Sequence, residues 1–167
     1  MKNFSIITIL ALCLGATSFA FAGHHSSAEH QDTKIKYVGY SKIGNPAEVL
    51  EVKEESARAL TSGEVRVKVL AAPINPSDVL QIAGKYGVDA VLPARPGSEG
   101  VGRVTEVSAE VKSLQVGQLV LLASGSTWAE ELVGPEAGFF PIPNLGPVDA
   151  NVIEQLAMSA VNPLTAL

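Results

Sequence analysis

The sequence predicts a mainly β fold with short helices, arranged as a compact barrel or sandwich, and three observations carry that expectation. The run Glu64-Val65-Arg66-Val67-Lys68-Val69-Leu70 alternates valine with charge, the period of a strand that buries one face. Shorter β-like runs follow at Val101–Val107, Leu119–Ala123 and Glu131–Val133, punctuated by Pro96-Gly97, Gly117 and Gly134-Pro135. Only two segments read as helical. One is Ser77–Ala83, opened by Pro76-Ser77-Asp78; the other is Asn151–Ala160, with Asp149 placed to cap it and Val152, Ile153, Leu156, Ala157 and Ala160 on one apolar stripe.

The N-terminus has a different character. Met1-Lys2-Asn3 leads into an almost uncharged run ending in Ala20-Phe21-Ala22, the pattern of a secretory signal with an A-x-A cleavage site. Residues 1–22 are therefore expected to be removed, with residues 23–33 a flexible leader and residues 34–167 the folded domain. This predicts an exported protein, periplasmic or secreted, with no stable membrane span after cleavage. A terminus beginning Gly23-His24-His25 offers an amine and imidazole nitrogens to Cu(II) or Ni(II), though a soluble spacer with incidental histidines explains the same residues.

Charge and cysteine narrow the function classes. The chain carries a net charge of −5 and has no basic cluster, which argues against nucleic-acid or polyanion partners. Its single cysteine, Cys13, leaves with the signal, so disulfides and thiolate metal sites are not expected in the domain. Gly97, Gly100 and Gly102 lie beside a β-like run, where glycine permits close backbone approach. Their order is not that of a phosphate-binding loop opening a helix. Tyr86, between Gly84 and Gly87, Asn75, between Pro73 and Pro76, and Trp128 are candidate site residues. Loop packing, turn formation and core packing are the plainer readings of the three.

Six segments in one order carry a resemblance. They are Leu70-Ala71-Ala72-Pro73-Ile74-Asn75-Pro76-Ser77-Asp78, Gly84-Lys85-Tyr86-Gly87 followed by Leu92-Pro93-Ala94, Gly97-Ser98-Glu99-Gly100-Val101-Gly102, Gly117-Gln118-Leu119-Val120, Ser126-Thr127-Trp128 and Val161-Asn162-Pro163-Leu164-Thr165-Ala166. Together they resemble the medium-chain dehydrogenase/reductase superfamily, nearest its zinc-free trans-2-enoyl-thioester reductases and then the quinone oxidoreductases. The resemblance implies a GroES-like, partly open β-barrel, the alcohol dehydrogenase-like N-terminal domain, ending before the family's Rossmann domain.

It also implies NADPH as cofactor, with no dinucleotide site in this chain, and an acyl thioester or quinone as substrate. Tyr86 matches the tyrosine proposed as acid in the enoyl reductases, while Asn75 and Trp128 match positions lining the substrate and cofactor cleft. Where the zinc enzymes of the superfamily place a cysteine and a His-Glu pair, this sequence has Asn75-Pro76-Ser77 and Ser98-Glu99, so no zinc is expected. Three functional readings follow: the substrate-side domain of a reductase that is not self-sufficient; an exported, non-catalytic ligand-binding or structural barrel; and a domain whose nucleotide-binding half is a separate chain.

Overall fold

The structure is a computed structural model that describes residues 33–166. The segment read as a signal peptide, nearly all of the leader, and His24 and His25 lie outside the described residues.

Seven strands and four short α-helices follow one another as β1 (Lys34–Gly39), α1 (Pro46–Val49), β2 (Glu51–Ser56), β3 (Glu64–Ala71), α2 (Pro76–Ile82), β4 (Gly100–Val107), β5 (Leu119–Leu122), β6 (Glu131–Pro135), β7 (Phe139–Pro141), α3 (Ala150–Ala157) and α4 (Val161–Thr165). β1 and β2 form an antiparallel pair, and the other five strands form a sheet in the order β6-β3-β4-β5-β7. The two sheets are joined through residues 128–130. Val38 N donates to Trp128 O and Glu130 N to Lys36 O, while Val69 N donates to Glu130 O, so this short segment lies between β1 and the end of β3. The result is a curled, half-closed barrel, as expected for a GroES-like domain.

The alternation of β3 positions the main core. Val65 and Val67 are fully buried and pack with Val104, Leu114, Val120, Leu122 and Phe139, each side chain stabilising the fold by roughly 1.5–3 kcal/mol. A second cluster gathers Tyr40, Val49 and Ile82 with Trp128 beside them; a third joins Val101 and Ile142 to Ala157 of α3. The opposite face of β3 departs from the expected charged, solvated side, because Arg66 is buried too. Its guanidinium donates to Glu106 at 2.9 Å, to Glu131 at 3.4 Å and to the carbonyl of Arg58. Burial of a cation is tolerable only with such pairing, which sequence alternation does not reveal.

Asp149 caps α3 as expected, accepting from Val152 N at 2.9 Å, although the helix ends at Ala157 rather than Ala160. β3 and β4 slip register between Arg66 and Val67 and again between Val69 and Ala71. Such irregularities bend a strand and help the sheet to curl. At Gly102 the two backbones come so close that an added Cβ would sit 2.4 Å from Val67 Cγ1 and 2.8 Å from Lys68 O. Gly102→Ala is therefore expected to lower the unfolding free energy by about 2 kcal/mol, seen as a lower urea midpoint at unchanged m-value.

The turn into β3 is held by charge. Arg58 grips the Glu64 carboxylate with bonds of 2.7 and 2.6 Å, and Thr61 N adds another at 2.8 Å. The Arg58 guanidinium, helped by the Thr61 amide, lowers the Glu64 pKa to about 2 from an ordinary 4.5. A carboxyl held low in the folded state stabilises it above the unfolded pKa and loses that contribution as pH falls toward the folded one. The difference in denaturant midpoint between wild type and Glu64→Gln should be constant above pH 4.5 and shrink as pH falls from 4.5 toward 2.

Candidate active site

The residues after β3 turn sharply into α2, and Pro73 and Pro76 restrict the turn because proline fixes φ. Asn75 sits at the N-cap of α2, 6% exposed. Two carboxylates fix it. Asp78, one turn into α2, accepts from the Asn75 backbone N–H at 2.9 Å, and Glu99 accepts from the Asn75 side-chain amide at 3.0 Å. Ser98 donates its hydroxyl to Asp78.

Glu99, immediately before β4, is completely buried. Besides Asn75, its carboxylate accepts from Ala160 N at 3.0 Å, Val161 N at 2.7 Å and Asn162 Nδ2 at 3.4 Å. Its backbone carbonyl accepts from the buried Thr127 hydroxyl at 2.7 Å. Gly97, at φ +102°, lets Thr127 come near, since a Cβ there would lie 2.4 Å from Thr127 Oγ1. One residue thus ties together the starts of β4, α2 and α4 and the loop before Trp128. Sequence reasoning named Ser98-Glu99 only within a family-like segment and as the replacement for a metal-binding pair. The signal that marked Glu99 was available: a carboxylate among glycines at the mouth of an apolar strand is buried only when it is paired.

Trp128 stands where two environments meet. Its ring packs beside Tyr40, Val49 and Ile82, and its indole N–H donates to Pro73 O at 3.0 Å, fixing the turn that carries Asn75. The same residue lines an open, largely apolar cleft of about 710 Å³, walled also by Val52, Leu70, Ala72 and Ile74. Trp128 therefore both packs against a core cluster and borders an open cleft. Asn75 and Tyr86 do not line this cleft.

Of the three tyrosines, Tyr40 is in the core, where burial raises its phenol pKa, and Tyr37 lies under the Arg95 guanidinium at 3.6 Å. Tyr86 is 47% exposed in the loop after α2, the tyrosine of the three most open to a ligand. Among the described residues no group of three or more His, Cys, Asp or Glu stands close enough to hold a metal ion. No helix there is long and apolar enough to cross a membrane.

A nicotinamide dinucleotide needs cations or free helix-start N–H groups for its phosphates. All four arginines of the chain are engaged inside the domain. Arg58 is bound to Glu64, Arg66 to Glu106 and Glu131, Arg95 to Glu55, and Arg103 to the carbonyl of Gly117. The N–H groups at the start of α4 are taken by Glu99. These arginines and the start of α4 are thus already engaged inside the domain.

Residues 61–144 match the family described as the alcohol dehydrogenase GroES-like domain, half of the chain. The chain belongs to this family. The GroES-like domain is in turn part of the medium-chain dehydrogenase/reductase superfamily. The protein is 38% identical over 142 residues to the mitochondrial enoyl-[acyl-carrier-protein] reductase of Homo sapiens, covering 84% of this chain and 37% of that protein. It is 36% identical to the Arabidopsis thaliana counterpart, covering 79% and 34%. The chain thus spans about 37% of the length of the first curated relatives it matches.

Among solved structures, the mitochondrial 2-enoyl thioester reductase heterodimer from Candida tropicalis superposes with a TM-score of 0.70 at 32% identity, over 80% of this chain and 42% of that one. A putative NADPH:quinone reductase from Bacillus thuringiensis gives 0.69 at 37% identity, over 80% and 39%.

These comparisons correct the expectation of an exported, periplasmic or secreted protein. The relatives from Homo sapiens, Mus musculus and Arabidopsis thaliana are named as mitochondrial enzymes, which overturns it. That expectation rested on the apolar run of residues 1–22, and hydropathy reports how greasy a leader is rather than where it directs a chain.

Replacing Trp128 by Phe in this GroES-like domain keeps an aromatic ring but removes both the bond to Pro73 and part of the packed indole. We expect a loss of at least about 1 kcal/mol in a denaturant titration followed by circular dichroism.

Proposed function

We propose that residues 34–167 form the substrate-side, zinc-independent domain of an NADPH-dependent reductase acting on 2-enoyl thioesters. The observation that carries this reading is the 38% identity to an enoyl-[acyl-carrier-protein] reductase across 84% of the chain. It is joined by the overlay on the Etr1p complex with NADP and crotonyl-CoA, TM-score 0.70. In conjugate reduction of an enoyl thioester, negative charge builds on the thioester oxygen, and a donor aimed at that oxygen stabilises the transition state. Tyr86 is that donor in this reading: its phenol is half-exposed and can donate a hydrogen bond. The apolar cleft beside Trp128 suits an acyl chain. Asn75, held by Glu99 and Asp78, is a rigid polar group at the turn above it. When bound, NADPH would supply the hydride.

The likeness to an NADPH:quinone reductase supports a second substrate class, a quinone. Trp128 emission of the purified chain during titration with crotonyl-CoA or a quinone separates the readings. The enoyl-thioester reading predicts a response to crotonyl-CoA, and a response confined to the quinone would transfer the function to the second class. Silence with both ligands would overturn the reductase reading. With a relative's nucleotide-binding half fused to the chain, Tyr86→Phe should lower kcat with crotonyl-CoA by about 10²-fold, whereas an unchanged kcat would remove Tyr86 from the chemistry.

A further inference from the structure

The mouth of β4 holds a carboxylate that the proposed chemistry does not use. Glu99 is 0% exposed, and its two oxygens divide their partners between separate parts of the chain. Oε1 accepts from Asn75 Nδ2 at 3.0 Å and Asn162 Nδ2 at 3.4 Å; Oε2 accepts from Ala160 N at 3.0 Å and Val161 N at 2.7 Å. A buried carboxylate left without its donors costs several kcal/mol, so all of these groups are drawn to one point. Each bond formed also fixes the carboxylate for the others.

We propose that Glu99 is a positioning residue that couples the Asn75 amide to the 160–162 segment, so that the turn above the cleft is set only when the start of α4 is docked. The assignment rests on the reductase reading only for its catalytic consequence. The coupling itself is a property of this domain. Asp78 takes a different part, holding the backbone N–H of Asn75 while Glu99 holds the side chain, so the two carboxylates fix one residue from two sides. Thr127 adds a further tie through the Glu99 carbonyl, which any Glu99 side-chain substitution leaves in place.

Glu99→Gln keeps the size but replaces one acceptor oxygen by an NH2 group, which must face donors on one side. Amide hydrogen exchange measures the result residue by residue. Exchange at Ala160 and Val161 should quicken by about tenfold, while the Val104 amide in the sheet stays protected. The decisive arm is Asn75→Ala, which touches neither Ala160 nor Val161. Coupling through Glu99 predicts at least a several-fold faster exchange at these two amides, and a double variant whose effect is smaller than the product of the single effects. The side-chain amide resonance of Asn75 should also move in Glu99→Gln.

Unchanged exchange at Ala160 and Val161 in Asn75→Ala, or effects that simply multiply, would overturn the proposal, because a merely space-filling Glu99 would leave the two sides independent. If Glu99→Gln does not fold, Asn75→Ala alone decides the matter. Coupled exchange in a chain that binds neither crotonyl-CoA nor a quinone would uphold the coupling and sink the reductase reading instead.

Discussion

A carboxylate sealed from water at the start of β4 is the constraint around which the site is arranged. Glu99 is fully buried, so its carboxyl oxygens must find their partners inside the fold. The folded state must therefore bring donors to it, and they come from segments far apart in sequence: Asn75 before α2, and Ala160, Val161 and Asn162 at the start of α4. The glycines and prolines nearby serve the same end by letting backbone come close and by limiting how the turn after β3 can move. The hydrophobic clusters on either side supply most of the folding free energy, while the polar cluster between them selects which arrangement of loops accompanies that core.

The sheet and the two longer helices were legible because their information is local. Valine at every second position marked β3, and Asp149 followed by an apolar stripe marked α3; both signals arise within a few residues. β1, α1, β2, β7 and α4 were not assigned from the residue pattern. β7 is only three residues long, and α4 begins at a helix start whose N–H groups are satisfied from a residue 62 positions away. Arg66 shows the same limit on the outer face of β3. Its alternation with valine suggested solvent, but Glu106 and Glu131 arrive from neighbouring strands to pair with it. The candidate site was legible only in part. Residue order pointed to Tyr86, Asn75 and Trp128, whereas Glu99, which fixes Asn75, owes its importance to contacts that exist only after folding.

Function and fold also sit on different footing. The family is carried by the matched segment, residues 61–144, which contains β3 through β7 and hence the main core. The relatives are more than twice as long as the matched region, so the architecture carries over directly while the chemistry of the complete enzymes enters as a proposal.

The segment 128–130 has a mechanical consequence. It is stitched to β1 on one side and to the end of β3 on the other, and Trp128 within it is fastened to Pro73. β1 and the cleft wall are therefore in series, like links of one chain. A load applied at Thr33, by a fused domain, a surface tether or an optical trap, would pass along β1 into the tryptophan wall before it reached the valine core. The first strand is a handle on the cleft.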